Sequence, residues 1–120
     1  MNCFSNKRWP QKLTRVFLAV RPWSFSASMT STFLGFSLAW KESRSIDAIQ
    51  MLFTTFTVVF IHSAGNLVNT YYDFANGFDT EDSDDKTLVK KELSPSEMAV
   101  CIAKLYFLGM VSFVAGNLKL

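Results

Sequence analysis

The stretch AIQMLFTTFTVVFIHSAGNLVNTYYDFANGFD, Ala48 to Asp79, decides the fold. Its first 25 residues, Ala48 to Tyr72, carry no formal charge when His62 is neutral. At 1.5 Å per residue, about 20 apolar residues cross the ~30 Å hydrocarbon core of a bilayer, so this segment reads as a transmembrane helix. It then runs straight into carboxylates: five Asp and one Glu fall within the thirteen positions from Asp73 to Asp85.

The remainder of the 120 residues fits a membrane protein better than a small soluble domain. The chain is 49% hydrophobic, with twelve Phe and three Trp. Ser24 to Trp40 is a run of 17 uncharged residues, close to the lower limit for a span, and Trp23 and Trp40 stand at its ends, where indoles favour the headgroup layer. Met98 to Leu118 is apolar apart from Lys104, whose long stem reaches an interface or a polar cavity. The expected fold is therefore all-α, a multi-pass transmembrane helix bundle with spans at about 24–40, 48–72 and 98–118. A basic segment, 1–20, precedes the spans, and an Asp-rich loop, 73–97, separates the last two.

Lys and Arg in short loops set orientation because they resist translocation. Lys7, Arg8, Lys12, Arg15 and Arg21 lie before the first span, Lys86, Lys90 and Lys91 in the Asp-rich loop, and only Lys41 and Arg44 between the first two spans. The N-terminus and the Asp-rich loop are thus both expected in the cytosol, with membrane lipid as a partner. The net charge of +2 is used up in these flanks rather than gathered in a patch with stacking aromatics, which argues against nucleic acid. Cys3 and Cys101 are too far apart in the predicted layout for a disulfide or a metal pair. Arg21 and Pro22 interrupt the first apolar run, so no cleavable signal peptide is read there.

On a helix at 100° per residue, His62, Asn66, Asn69 and Asp73 fall within one ~60° stripe on an otherwise apolar surface. Polar groups at membrane depth normally face a bundle interior or a wet cavity. His62, deep in the span, reads as an interhelical hydrogen-bonding residue. Asn69 and Asp73 read differently, because a span entering near Ala48 leaves near Leu67 and brings them to the headgroup level. Asn76-Gly77 follows as a helix stop, since both residues tolerate the left-handed conformation. A break there allows Asp79 to fold back beside Asp73. Two carboxylates and an amide form a hard-oxygen site suited to Mg²⁺, which takes one or two carboxylates together with substrate phosphates. Lys86, Lys90 and Lys91 are candidate phosphate partners. Glu81 and Asp82 read as solvated charge. A carboxylate ring of an ion channel is the competing reading of the cluster, but Asn76-Gly77 and the basic residues downstream do not suit it.

A diphosphate at the headgroup plane with its tail in lipid describes a prenyl diphosphate. The segment NTYYDFANGFD, Asn69 to Asp79, resembles the first Asp-rich motif of the UbiA superfamily of intramembrane prenyltransferases. RPWSFSAS at Arg21 to Ser28, AGNLVNTYYDF and SDDKTLV extend the resemblance over roughly 18–120. It implies that 21–120 is the N-terminal part of a UbiA domain, the first three helices of about nine. It also implies transfer of a prenyl group, typically geranylgeranyl, from its diphosphate to a quinone or naphthoquinone ring, as in menaquinone (vitamin K2) synthesis. By the same resemblance Asn69, Asp73 and Asp79 are catalytic, Asp73 and Asp79 ligate Mg²⁺, and Arg21, Asn69 and Lys86 bind the diphosphate. The endoplasmic reticulum or Golgi fits the family and the charge bias. Two departures stand out. Ser31 occupies a position where relatives usually carry Pro, and the family's second Asp-rich motif, between its fourth and fifth spans, has no counterpart here. These 120 residues alone are therefore expected not to turn over; the alternative reading is an inactive membrane protein that binds lipid, a cation or a partner.

Overall fold

The computed structural model describes residues 9–78 and 93–118, and the described residues form four α-helices and one short 3-10 turn with no strand. The helices are α1 (Trp9–Val20), α2 (Phe25–Ser43), α3 (Ala48–Ala75) and α4 (Pro95–Asn117), with the 3-10 turn Pro22–Ser24 leading into α2. The all-α expectation holds across them.

Two helices, α3 and α4, are long and apolar enough to cross a membrane. The span expected over 24–40 is a helix, but it does not fall in that class. Counting only charges overlooked seven hydroxyl side chains among the nineteen residues of α2. Five of them return their protons to the backbone one turn earlier: Thr30 to Ser26, Ser31 to Ala27, Thr32 to Ser28, Ser37 to Phe33 and Ser43 to Ala39. Such bonds satisfy hydroxyls without water but leave the helix less apolar than α3 and α4.

Within the basic segment 1–20, Trp9–Val20 forms the helix α1. In α1, Leu13, Val16, Phe17 and Val20 recur at helical spacing. Val16, Ala19 and Val20 pack inward, whereas Leu13 and Phe17 stay exposed. Lys12 Nζ reaches Glu97 Oε1 at 2.5 Å and joins α1 to the first turn of α4. Both side chains are partly exposed, so the pair contributes at most about 1 kcal/mol.

Both α3 and α4 begin on a side-chain cap. Asp47 Oδ1 accepts from the Ile49 and Gln50 amides at the start of α3. At the start of α4, Ser94 Oγ accepts from the Glu97 amide while Glu97 Oε2 accepts from the Ser94 amide, a reciprocal box with Pro95 in the first turn. α3 continues to Ala75 and α4 starts at Pro95, so the ends of both helices lie within the Asp-rich segment 73–97.

The main packing is α3 against α4. A Cβ at Gly109 would lie 2.7 Å from Ile61 Cδ1, and one at Gly116 would lie 2.8 Å from Phe53 Cβ. These two meetings run in opposite directions along the chain, so the pair is antiparallel. Ile102, Leu105, Gly109, Ser112 and Gly116 alternate steps of three and four, the spacing of a left-handed helix pair. Small residues in such a seam let apolar helices approach closely and gain dispersion energy where lipid gives no hydrophobic drive. The fully enclosed core is small and lies where three helices converge: Ala19 of α1, Leu67 of α3 and Met98 of α4, with Leu93 beside them. Away from it, Phe107, Met110 and Phe113 of α4 and Ile49 and Leu52 of α3 are more than half exposed. An apolar surface this extensive belongs against lipid or further helices.

The seam predicts an asymmetry between its glycines. Alanine at Gly109 gains helix propensity of about 1 kcal/mol, and the end of Ile61 rotates aside. At Gly116 the obstacle is the Cβ of Phe53, fixed to the backbone, so overpacking of about 1–3 kcal/mol opposes that gain. Thermal unfolding in detergent is expected to show a lower midpoint for G116A than for G109A; equal midpoints would reject the seam.

Candidate functional site

The polar stripe of α3 divides into two halves that do different work. In the upper half, His62 and Asn66 are engaged. His62 Nε2 lies 2.8 Å from Ser24 Oγ, and its Nδ1 pairs with Ser28 Oγ. Phe25 meets the imidazole edge-on at 4.9 Å. Asn66 Nδ2 donates to the Val20 carbonyl at 2.6 Å and to Ser24 Oγ at 3.0 Å. Ser24 Oγ also donates to the Arg21 carbonyl at 2.8 Å. His62 thus makes the interhelical bonds expected of it. Asn66 was legible only as a member of the stripe. Ser24 and Ser28, four apart and so on one helical face, were the signal for its partners.

Hydrogen-bond accounting assigns the ring. The single proton of Ser24 goes to the Arg21 carbonyl, which leaves its oxygen to accept from Asn66 and from His62. A neutral His62 then carries its proton on Nε2 and accepts from Ser28 at Nδ1.

In the lower half, Asn69 is exposed and Asp73 is half-buried, one turn apart on the last two turns of α3. The helix ends as expected at Asn76-Gly77. The Phe78 amide bonds the Asp73 carbonyl at 2.9 Å, the Gly77 amide bonds the Phe74 carbonyl at 3.1 Å, and Gly77 has φ 72°. These are the two bonds of a Schellman motif, and they require a left-handed residue directly after the cap. The chain therefore turns off the helix axis four residues beyond Asp73. Asp79 and Lys86, with Lys90 and Lys91, lie outside the described residues.

Arg21, the third position implied by the resemblance, sits between α1 and the 3-10 turn in the left-handed region, φ 55° and ψ 64°. That conformation costs a non-glycine residue about 1–2 kcal/mol. No ion pair engages its guanidinium among the described residues.

Among the described residues no three His, Cys, Asp or Glu side chains converge on a metal-sized space. What Asn69 and Asp73 offer is one carboxylate and one amide oxygen. Both are hard donors of the kind magnesium takes alongside phosphate oxygens, and as a partial ligand set they fit it. Asp73 also stands at the negative end of the α3 dipole, where a bound cation would offset its charge.

Comparison with known proteins places the chain in a family. Residues 28–120 match the model of the UbiA prenyltransferase family. The chain belongs to that family. It is 48% identical over 98 residues to UbiA prenyltransferase domain-containing protein 1 of Danio rerio, covering 82% of this chain and 29% of that protein. The Homo sapiens protein of that name is 45% identical over 105 residues, covering 88% and 31%. The Drosophila melanogaster homolog is 44% identical over 105 residues, covering 86% and 29%. The chain thus spans less than a third of the length of these curated relatives. In this UbiA chain the RPWSFSAS and AGNLVNTYYDF blocks, about forty residues apart, are joined by the Ser24–Asn66 bond, and Ser24 and Ser28 also hold His62 just before the second block.

Two substitutions test the local construction. Asn66→Leu takes the side-chain donor from the Val20 carbonyl and one of the two donors from Ser24 Oγ, at an expected cost of about 1–3 kcal/mol. Gly77→Ala forces a side chain into the left-handed cap at about 1–2 kcal/mol, and Gly77→Asn recovers part of that loss. Thermal midpoints in detergent are the readout; an unchanged midpoint for Asn66→Leu would remove the interhelical role.

Proposed function

We propose that the chain supplies the first Asp-rich half-site of an intramembrane prenyltransferase, which moves a prenyl group, typically geranylgeranyl, from its diphosphate to a quinone or naphthoquinone ring, the chemistry of menaquinone synthesis. The observation that carries this reading is the exposed Asn69 and half-buried Asp73, paired at the end of an apolar helix in a chain of the UbiA family.

In the proposed reaction the prenyl carbon–oxygen bond breaks, diphosphate departs, and a ring carbon takes the prenyl carbon and gives up its proton. Asp73 and Asp79 hold Mg²⁺ through carboxylate oxygens, and Asn69 orients the diphosphate against them. Bound magnesium supplies neutralisation of the charge that develops on the leaving diphosphate, worth several kcal/mol of barrier. Arg21 and Lys86 bind diphosphate oxygens from the protein side. The apolar faces of α3 and α4 keep the prenyl tail in lipid and water away from the reacting carbon. Asp73 reaches this position because the apolar run leaves the hydrocarbon near Leu67, at the depth where a diphosphate headgroup rests.

The same reading gives α2, α3 and α4 as the first three crossings of a multi-pass bundle. The N-terminus and the Asp-rich loop then share the cytosolic face, in keeping with eight cations against two across the loops. An endoplasmic reticulum or Golgi membrane suits that orientation.

Two measurements test the proposal. In the full-length protein carrying these residues, D73A and D79A are each expected to lower magnesium-dependent prenyl transfer by roughly 10²-fold or more, the scale of losing a preorganised charge stabiliser. Membrane insertion should be unchanged, and retained transfer in either variant removes the ligand assignment. Reading the transcript past Leu120 supplies the other test: a second paired-Asp motif after a further span supports the enzyme, and a stop codon favours a membrane protein that binds lipid, a cation or a partner without turnover.

A further inference from the structure

Arg21 occupies a backbone conformation that glycine would adopt freely, yet the residue there carries the one cation at the junction of α1 and the 3-10 turn. A strained residue persists only where its surroundings over-determine it, and such positions gather at functional sites. The surroundings of Arg21 are unusually explicit. Peptide groups are planar, so the φ and ψ of Arg21 are the only soft rotations between the peptide plane before it and the one after it. Both planes are pinned. The carbonyl of Val20, in the preceding plane, accepts from Asn66 Nδ2 at 2.6 Å. The carbonyl of Arg21, in the following plane, accepts from Ser24 Oγ at 2.8 Å and from the Ser24 amide at 2.9 Å.

Ser24 is fixed in turn by α3. Its oxygen accepts from Asn66 at 3.0 Å and pairs with His62 at 2.8 Å, while Ser28 holds the other side of the imidazole. All the restraint on Arg21 that comes from α3 thus passes through two residues of the polar stripe. Asn66 lies seven residues before Asp73 on that stripe, about 10 Å along the axis. Arg44 makes the contrast. It is the other left-handed arginine, φ 56°, but it merely caps α2, with its amide on the Trp40 carbonyl at 2.8 Å.

We infer that Ser24, His62 and Asn66 are positioning residues that hold Arg21 in its left-handed conformation, as a preorganised cation for the diphosphate end of the substrate. This rests on the proposed prenyl-transfer reading, in which Arg21 binds diphosphate. The upper half of the stripe then serves the same ligand as the lower half, one through Arg21 and the other through Asn69 and Asp73. Preorganisation of this kind acts on binding, so its loss appears in KM for the prenyl diphosphate more than in kcat.

A double-mutant cycle in the full-length protein, reconstituted in lipid, tests it. S24A is expected to raise KM for the prenyl diphosphate about tenfold, with the acceptor KM unchanged and S24T restoring the parent value. R21G is expected to raise the same KM at least as much, and S24A added to R21G should change nothing further, because the residue being positioned is gone. R44G should leave both KM values at the parent level. If S24A and R21G act additively, or if S24A moves both KM values together, the hydrogen bonds are structural and the inference fails. If R21G leaves the prenyl diphosphate KM unchanged, it is the assignment of Arg21 to diphosphate that fails. Should S24A not accumulate in membranes, H62Q takes its place in the same cycle.

Discussion

The Asn66 side-chain amide, bonded at once to the Val20 carbonyl and to Ser24 Oγ, is the contact on which the arrangement of α1, α2 and α3 depends. Where α1 stops and α2 has not begun, backbone carbonyls lose their helical partners. In water that loss is trivial, whereas beside an apolar bundle each unsatisfied group costs several kcal/mol. Asn66 and Ser24 provide the missing donors, and His62 with Ser28 extends the same network one turn along α3. A sharp change of chain direction thereby becomes compatible with an apolar setting. It also explains how the left-handed Arg21 and Pro22, whose ring interrupts a helix, can stand between two helices.

Packing follows from a second constraint, close approach. The seam of α3 and α4 needs glycine where the Phe53 Cβ comes nearest and a small residue opposite Ile61, and an enclosed core forms at the other end, where Ala19, Leu67 and Met98 meet. The two ends differ in character: glycine contacts at one, and at the other an enclosed cluster beside the last turns of α3. Asn69 and Asp73 lie at the better-enclosed end, on the last turns of α3, the first exposed and the second half-buried. The Schellman turn at Gly77 then takes the chain away from the axis.

Much of this was readable in the residues. The uncharged run Ala48 to Tyr72 required a long helix, Asn76-Gly77 required its end, and the placement of His62, Asn66, Asn69 and Asp73 on one stripe followed from helical geometry alone. The family was legible too, because three motif blocks occur in order. Two features escaped. The helix α1 was hidden by its basic residues, although Leu13, Val16, Phe17 and Val20 carry the helical period. The limited apolarity of α2 was hidden because its polar residues are hydroxyls, which add no charge to count but still lower the gain from entering lipid.

By itself the sequence determined the helical class, the ends of α3 and the one-sided polarity of that helix, because each is a local matter of propensity, period or capping. Only the tertiary structure decided which members of the polar stripe bond to the preceding elements and which do not. His62 and Asn66 look no different from Asn69 on a helical projection. They are distinguished by what lies opposite: Ser24, Ser28 and the Val20 carbonyl, reached from positions 34 to 46 residues away in the chain. A hydrogen bond across that separation depends on how two helices are set against each other, and no periodicity within one helix encodes it.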